Sequence, residues 1–191
     1  MATKTRTRNK LTLPATQTTA YTASLPADTV TKEYIGSDIT GNAANITITA
    51  TSGSNILTAG SSTLLTKAVQ TLVGGAGDDT LKGNGKSSLV GGAGNDTLVG
   101  GAYDDYESFR GRGGDDFIDG GTGEDRSDYW FSTAGITANL ATGTVSGDSS
   151  VGTDTLRSIE KIMGTAFDDV YDARGFSGTS INAGSLAEWN W

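Results

Sequence analysis

The chain has 191 residues, 28 of them glycine, carries a net charge of −8, and contains neither histidine nor cysteine. Leu, Ile, Val and Phe together fill 36 positions, so burial of large apolar side chains does not by itself offset the ordering entropy of so acidic a chain. The two missing residue types exclude Ser-His-Asp and Cys-His hydrolases, H-E-x-x-H peptidases, Cys/His zinc sites and disulfides; a stabilising metal would be held by oxygen, as calcium and magnesium are.

The N-terminus is basic through Lys4, Arg6, Arg8 and Lys10, and Thr-rich sequence follows it where a cleaved signal peptide would be apolar. Residues 1–40 read as a basic, Thr-rich arm or cap, either solvated or meeting an anionic surface or a neighbouring subunit. No apolar run reaches the roughly 18 residues of a transmembrane helix. In residues 41–73, Gly41 to Thr49 and Ala50 to Thr58 keep a nine-residue pace, with Ile46 and Asn55 at the place that acids take further on. They read as degenerate solenoid coils, with Leu65 and Leu72 continuing an inward stack, or as Thr-rich strands of a separate cap.

Between Gly74 and Asp128 lie 12 acidic and five basic residues, so nearly all the net charge sits in this segment, together with 16 glycines. Gly74-Gly75-Ala76-Gly77-Asp78-Asp79-Thr80-Leu81-Lys82 and Gly91-Gly92-Ala93-Gly94-Asn95-Asp96-Thr97-Leu98-Val99 are near copies. Between them Gly83 to Val90 is one residue short, with Ser87 and Ser88 where the acid belongs. Gly100-Gly101-Ala102-Tyr103-Asp104-Asp105 opens a unit with two extra residues around Tyr106 and Glu107, ending on Phe109 as its apolar residue. Gly111 to Asp119 and Gly120 to Asp128 complete the array, Arg112 standing for a glycine and Ser127 for the apolar residue.

This G-G-x-G-x-D-x-U-x pattern, U being a large apolar residue, resembles the calcium-binding nonapeptide of the repeats-in-toxin (RTX, hemolysin-type) family of type I secreted proteins. The resemblance implies an all-β fold, a parallel β-roll or right-handed β-solenoid, with calcium between turns stacked two units apart. Carried over residue by residue, it pairs Asp79 with Asp96, Asp96 with Asp116, and Asp105 with Asp125, for about three Ca2+ sites. Gly75, Gly77, Gly92, Gly94, Gly101, Gly121 and Gly123 would offer carbonyls; the Ser87/Ser88 turn lacks a carboxylate toward Asp105. Metal binding would then be folding free energy, off in cytosol and on outside the cell.

Residues 129–191 read as a spacer and cap. Gly135 to Leu140 and Thr144 to Ser146 alternate like strands, and Thr155 to Met163 reads as a coil or short helix. Gly164 to Asp172 returns to the repeat with Asp169 at the metal position, either a ligand or a structural turn. Tyr129, Trp130, Trp189 and Trp191 suit a cap or interface, with sugar stacking as the alternative. Ser185 to Trp191 lack the long aliphatic export signal of type I secretion, consistent with a piece of something longer.

The reading that follows is a non-enzymatic, extracellular structural subunit of a Gram-negative bacterium, of surface-layer, adhesin or filament type. Its expected partners are copies of itself and cell-surface polysaccharide, not nucleic acid. The alternative is the calcium-binding RTX portion of a longer secreted enzyme or toxin. An autonomous enzyme using paired carboxylates fits less well, because the acids recur at the repeat's own positions.

Overall fold

The computed structural model describes residues 9–12, 21–22, 37–40, 46–50, 53–59, 70–103 and 105–175. Leu65, Trp189, Trp191 and most of the basic arm lie outside the described residues. The described residues form strands and turns, with no helix among them. β1 (Asn9–Thr12), β3 (Ser37–Thr40), β5 (Ile56–Thr58), β7 (Thr80–Lys82), β9 (Thr97–Val99) and β11 (Phe117–Asp119) lie side by side, all parallel, in one sheet. β2 (Tyr21–Thr22), β4 (Ile46–Thr49), β6 (Gln70–Ala76), β8 (Ser87–Ala93), β10 (Ser108–Gly113), β12 (Arg126–Asp128) and β16 (Lys161–Met163) form a second parallel sheet. Successive strands thus alternate between two sheets. A parallel β-solenoid winds this way when each unit is too short to do more than turn and contribute one strand. β1, β2 and β3, from the Thr-rich first 40 residues, pair into the same two sheets.

The register explains the repeat's single large apolar residue. Leu57, Leu81, Leu98 and Ile118 are direct neighbours across one sheet, and Leu72, Leu89 and Phe109 across the other. All seven are fully buried. In a three-residue strand only the middle side chain faces inward, as β7 shows with its half-buried, buried, exposed pattern. Each coil therefore buries about two large side chains, and a buried Leu stabilises by only about 1.5–3 kcal/mol.

After β12 the chain leaves the coil. β13 (Thr137–Asn139) and β14 (Thr144–Ser146) form an antiparallel hairpin, β15 (Thr153–Arg157) pairs antiparallel to β14, and β17 (Val170–Asp172) lies parallel to β13. The other edge of β15 is parallel to β11, with Leu156 opposite Ile118, so the spacer restores the solenoid register after an excursion. The segment from Thr155 to Met163 is therefore strand, β15 then β16, and not a short helix. Around it Ile136, Ala138, Leu140, Val145, Val151 and Ile159 extend the core, and the ring of Tyr129 is wholly buried.

Leu98 lies between Leu81 and Ile118 in a row that nothing else can fill. Leu98→Ala is expected to cost about 2–5 kcal/mol, measured by denaturant unfolding at saturating calcium; a loss below about 0.5 kcal/mol, the range of ordinary surface substitutions, would contradict this packing.

Candidate metal centre

The turns joining the strands stack along the two edges of the solenoid. On the first edge the sixth residue of each turn reaches back to the turn before it. Asn55 N–H donates to Asp79 Oδ1 (2.6 Å), Asp79 N–H to Asp96 Oδ1 (2.8 Å), Asp96 N–H to Asp116 Oδ1 (2.8 Å), and Asp116 N–H to Asp154 Oδ1 (3.1 Å). A second ladder runs the opposite way along the rim. Asn95 N–H donates to Asp78 Oδ1 (2.8 Å), Asp115 N–H to Asn95 Oδ1 (2.9 Å), and Thr153 N–H to Asp115 Oδ1 (2.8 Å).

Only one oxygen of each inner carboxylate is used in this way. Oδ2 of Asp79, Asp96 and Asp116, like that of Asp125 on the other edge, is buried with no hydrogen-bond partner. A buried carboxylate oxygen without a donor is costly, and a cation removes that cost. The surroundings fit a cation. A Cβ placed on Gly74 would meet both Asp79 Oδ2 and the carbonyl oxygen of Gly91 in the next turn, so two acceptors converge there. The carbonyls of Gly75 and Gly77 face Gly92 and Gly94 of the following turn, and that of Gly101 faces Gly121. No group of three or more Asp or Glu side chains converges among the described residues. A cation here would take one or two carboxylates together with main-chain carbonyls, a hard oxygen set that suits calcium.

The first glycine of each unit has a steric reason. A Cβ on Gly91, Gly111 or Gly74 would strike the carboxylate of its own turn. Gly94 needs its freedom for another cause: its φ of 117° lies in the left-handed region, and a side chain would meet the Gly77 carbonyl. Arg112 takes the equivalent of Gly92 at φ 78°, at a cost of about 1–2 kcal/mol, and its guanidinium lies 5.4 Å from the centre of the Phe131 ring.

On the second edge the register departs from the sequence reading. Ser87 N–H donates to Glu107 Oε1 (3.1 Å), Glu107 N–H to Asp125 Oδ1 (2.9 Å), and Asp125 N–H to Glu160 Oε2 (2.8 Å). The partner of Asp125 is therefore Glu107 and not Asp105. Asp105 pairs through its main chain with Gly123, the place of a turn glycine, and its carbonyl faces that residue. The extra residues are looped out ahead of Asp105 and not around Tyr106 and Glu107. The sequence does carry a signal for this, because Asp79, Asp96 and Asp116 each stand two residues before the inward Leu81, Leu98 and Ile118, as Glu107 does before Phe109. Both Glu107 oxygens find donors, the second at Gly101 N–H (2.5 Å), so hydrogen bonds satisfy the gap beside Ser87.

Asp154 and Glu160 escaped the sequence reading. The same spacing marks them, before Leu156 and Ile162. Asp154 Oδ2 accepts the Tyr129 hydroxyl at 2.9 Å, which closes the first edge with a phenol. Asp169 joins neither ladder. Its oxygens accept Ile136 N–H (2.9 Å), Thr165 N–H (2.8 Å) and the Thr165 hydroxyl (2.8 Å), tying the turn before β17 to the residue just ahead of β13.

Burial pushes these acids far above their ordinary range, and neighbouring carboxylates add to it for most. Asp79 is raised to about 6, Asp96, Asp116 and Asp154 to about 7, and Asp125 to about 8. Burial also raises Glu107 and Glu160. Near neutral pH, without a cation, Asp125 is thus largely protonated and Asp96, Asp116 and Asp154 partly so.

Residues 69–85 and 90–127 match the family model of the RTX calcium-binding nonapeptide repeat, in four copies. Comparisons with curated proteins and with solved structures find no match.

The raised acids set opposite pH responses. Without metal the folded ladders bind protons that the unfolded chain, with ordinary values near 3.8, does not. Metal-free stability is therefore lost as pH rises through about 6 to 8 and is fully present only below about 3.8. With calcium, protons compete for the same oxygens, so the calcium-dependent gain shrinks as pH falls through that window. Thermal unfolding by circular dichroism from pH 8 to 5 should show stability in chelator rising as pH falls while stability in millimolar calcium stays nearly flat, so that the gap between the two narrows; a gap that stays constant or widens toward pH 5 would contradict it.

Proposed function

Because the chain carries RTX calcium-binding nonapeptide repeats, we propose that it is a non-enzymatic extracellular structural subunit, of surface-layer, adhesin or filament type, which folds when calcium enters its turns after secretion from a Gram-negative cell. The observation that carries the calcium step is the run of buried Asp79, Asp96, Asp116 and Asp125, each with one unpartnered oxygen. A core of about two large side chains per coil is a poor match for that repulsion, and calcium between the turns replaces repulsion with bridging. Extracellular modules of this kind bind calcium at about 10⁻⁴–10⁻³ M. Such affinity leaves the chain unfolded in the cytosol and folded outside.

Assembly is supported at the end where β16 and β17 terminate the two sheets among the described residues. Phe167 and Val170, beside and within β17, are each more than half exposed, as is Trp130 on the flank of the second sheet. Large apolar side chains next to a terminal strand favour contact with another molecule. A second copy meets this need by continuing the solenoid, and the basic arm would add an attachment to acidic polysaccharide.

Circular dichroism during calcium titration and subsequent chelation, with light scattering of the same samples, tests this. The expected result is a calcium-induced β signal accompanied by large particles, both reversed by chelator. Absence of the β signal overturns the calcium reading; a β signal from particles of single-chain mass favours the calcium-binding portion of a longer secreted enzyme or toxin.

A further inference from the structure

The RTX family match ends at residue 127, yet the second edge ladder continues onto a turn with no repeat motif. We propose that Asp125, Glu160 and the main-chain carbonyl of Ser158 form a further calcium site that closes this edge; it rests on the calcium reading of the repeats.

The gap between Asp125 and Glu160 reproduces, feature by feature, the gap between Asp79 and Asp96. In the repeat gap, Asp79 N–H donates to Asp96 Oδ1 at 2.8 Å, Asp79 Oδ2 is buried and unpartnered, and the Gly91 carbonyl converges with that oxygen beside Gly74. In the new gap, Asp125 N–H donates to Glu160 Oε2 at 2.8 Å, Asp125 is fully buried with Oδ2 unpartnered, and the Ser158 carbonyl converges with that oxygen beside Gly120. Two acceptors without a donor repel each other unless a cation lies between them.

The chemistry of Glu160 suits the shorter turn. Only Ile159 separates it from Ser158, whereas the repeat places four residues between Gly91 and Asp96. A side chain one methylene longer makes up the reach that the missing main chain would supply. Glu160 is only 9% exposed, and its carboxylate reaches into this gap to accept Asp125 N–H. Ser158 has φ 49°, a left-handed conformation unusual for serine. The basic side chains next to these residues in sequence pair with other acids, Lys161 with Glu124 at 3.0 Å, Arg126 with Asp128 and Arg157 with Asp119 at 3.7 Å, and Lys161 acts on Glu160 only through its charge. The first edge ends differently, since Tyr129 gives Asp154 Oδ2 the donor that Asp125 Oδ2 lacks. Carboxylate and carbonyl oxygens together select calcium over softer ions.

The test counts calcium bound to the full chain by equilibrium dialysis, with circular dichroism at saturating calcium reporting the fold. Glu160→Gln is expected to bind one ion fewer per chain with an unchanged β signal. An unchanged count overturns the site alone, whereas a parent chain that binds no calcium overturns the repeat reading beneath it. Should Glu160→Gln fail to fold, Glu160→Asp keeps the charge and shortens the reach; weakening of one ion supports the site, and unchanged affinity for every ion overturns it.

Discussion

Along each edge of this solenoid carboxylates stack on carboxylates, one turn apart and shielded from water, and like charges so placed repel unless a proton or cation is shared between them. The rest of the structure follows from that repulsion. Strands of three residues bury one side chain each, so the core is a pair of thin rows from Leu57 to Ile118 and from Leu72 to Phe109. Such a core holds coils in register but has little energy in reserve. The state of the edges therefore decides whether the coils stay together.

The doubled acids of the repeat have separate tasks. Asp79, Asp96 and Asp116 accept an N–H from the turn before, whereas Asp78, Asn95 and Asp115 accept one from the turn after. Opposed ladders lock each turn from both sides. The outer one tolerates asparagine because it needs only one acceptor oxygen. The inner one retains aspartate where a second oxygen must meet a cation, and Asn55, one turn before Asp79, carries an amide whose Nδ2 donates to Asp79 Oδ1.

The two ends of the acid ladders solve the same problem by different chemistry. A phenol completes Asp154, while the Asp125 oxygen is left facing the Ser158 carbonyl. The spacer hairpin makes both possible, because it returns the chain to solenoid register at β15 and β16 after a detour the repeat does not encode. A long-range feature of the sheet, not a local motif, thus supplies the last carboxylate on each edge.

The period, the inward apolar positions and the adjacency of the Asp79, Asp96 and Asp116 turns were legible from residue order, because a fixed interval along the chain becomes a fixed translation along the solenoid wherever no residue is looped out. Leu81, Leu89, Leu98, Phe109 and Ile118 could be set in line on that basis. Where residues are looped out the interval fails. Counting from Gly100 selects Asp105, but strand pairing of Phe109 with Leu89 puts Glu107 at the edge. Asp154 and Glu160 lie beyond a hairpin, and only the pairing of β15 with β11 and β16 with β12 brings them to Asp116 and Asp125. Chain order by itself determined a repeating, metal-hungry turn; tertiary register decided which carboxylates meet, because hydrogen bonds between strands, unlike intervals in sequence, take no account of what is looped out between them.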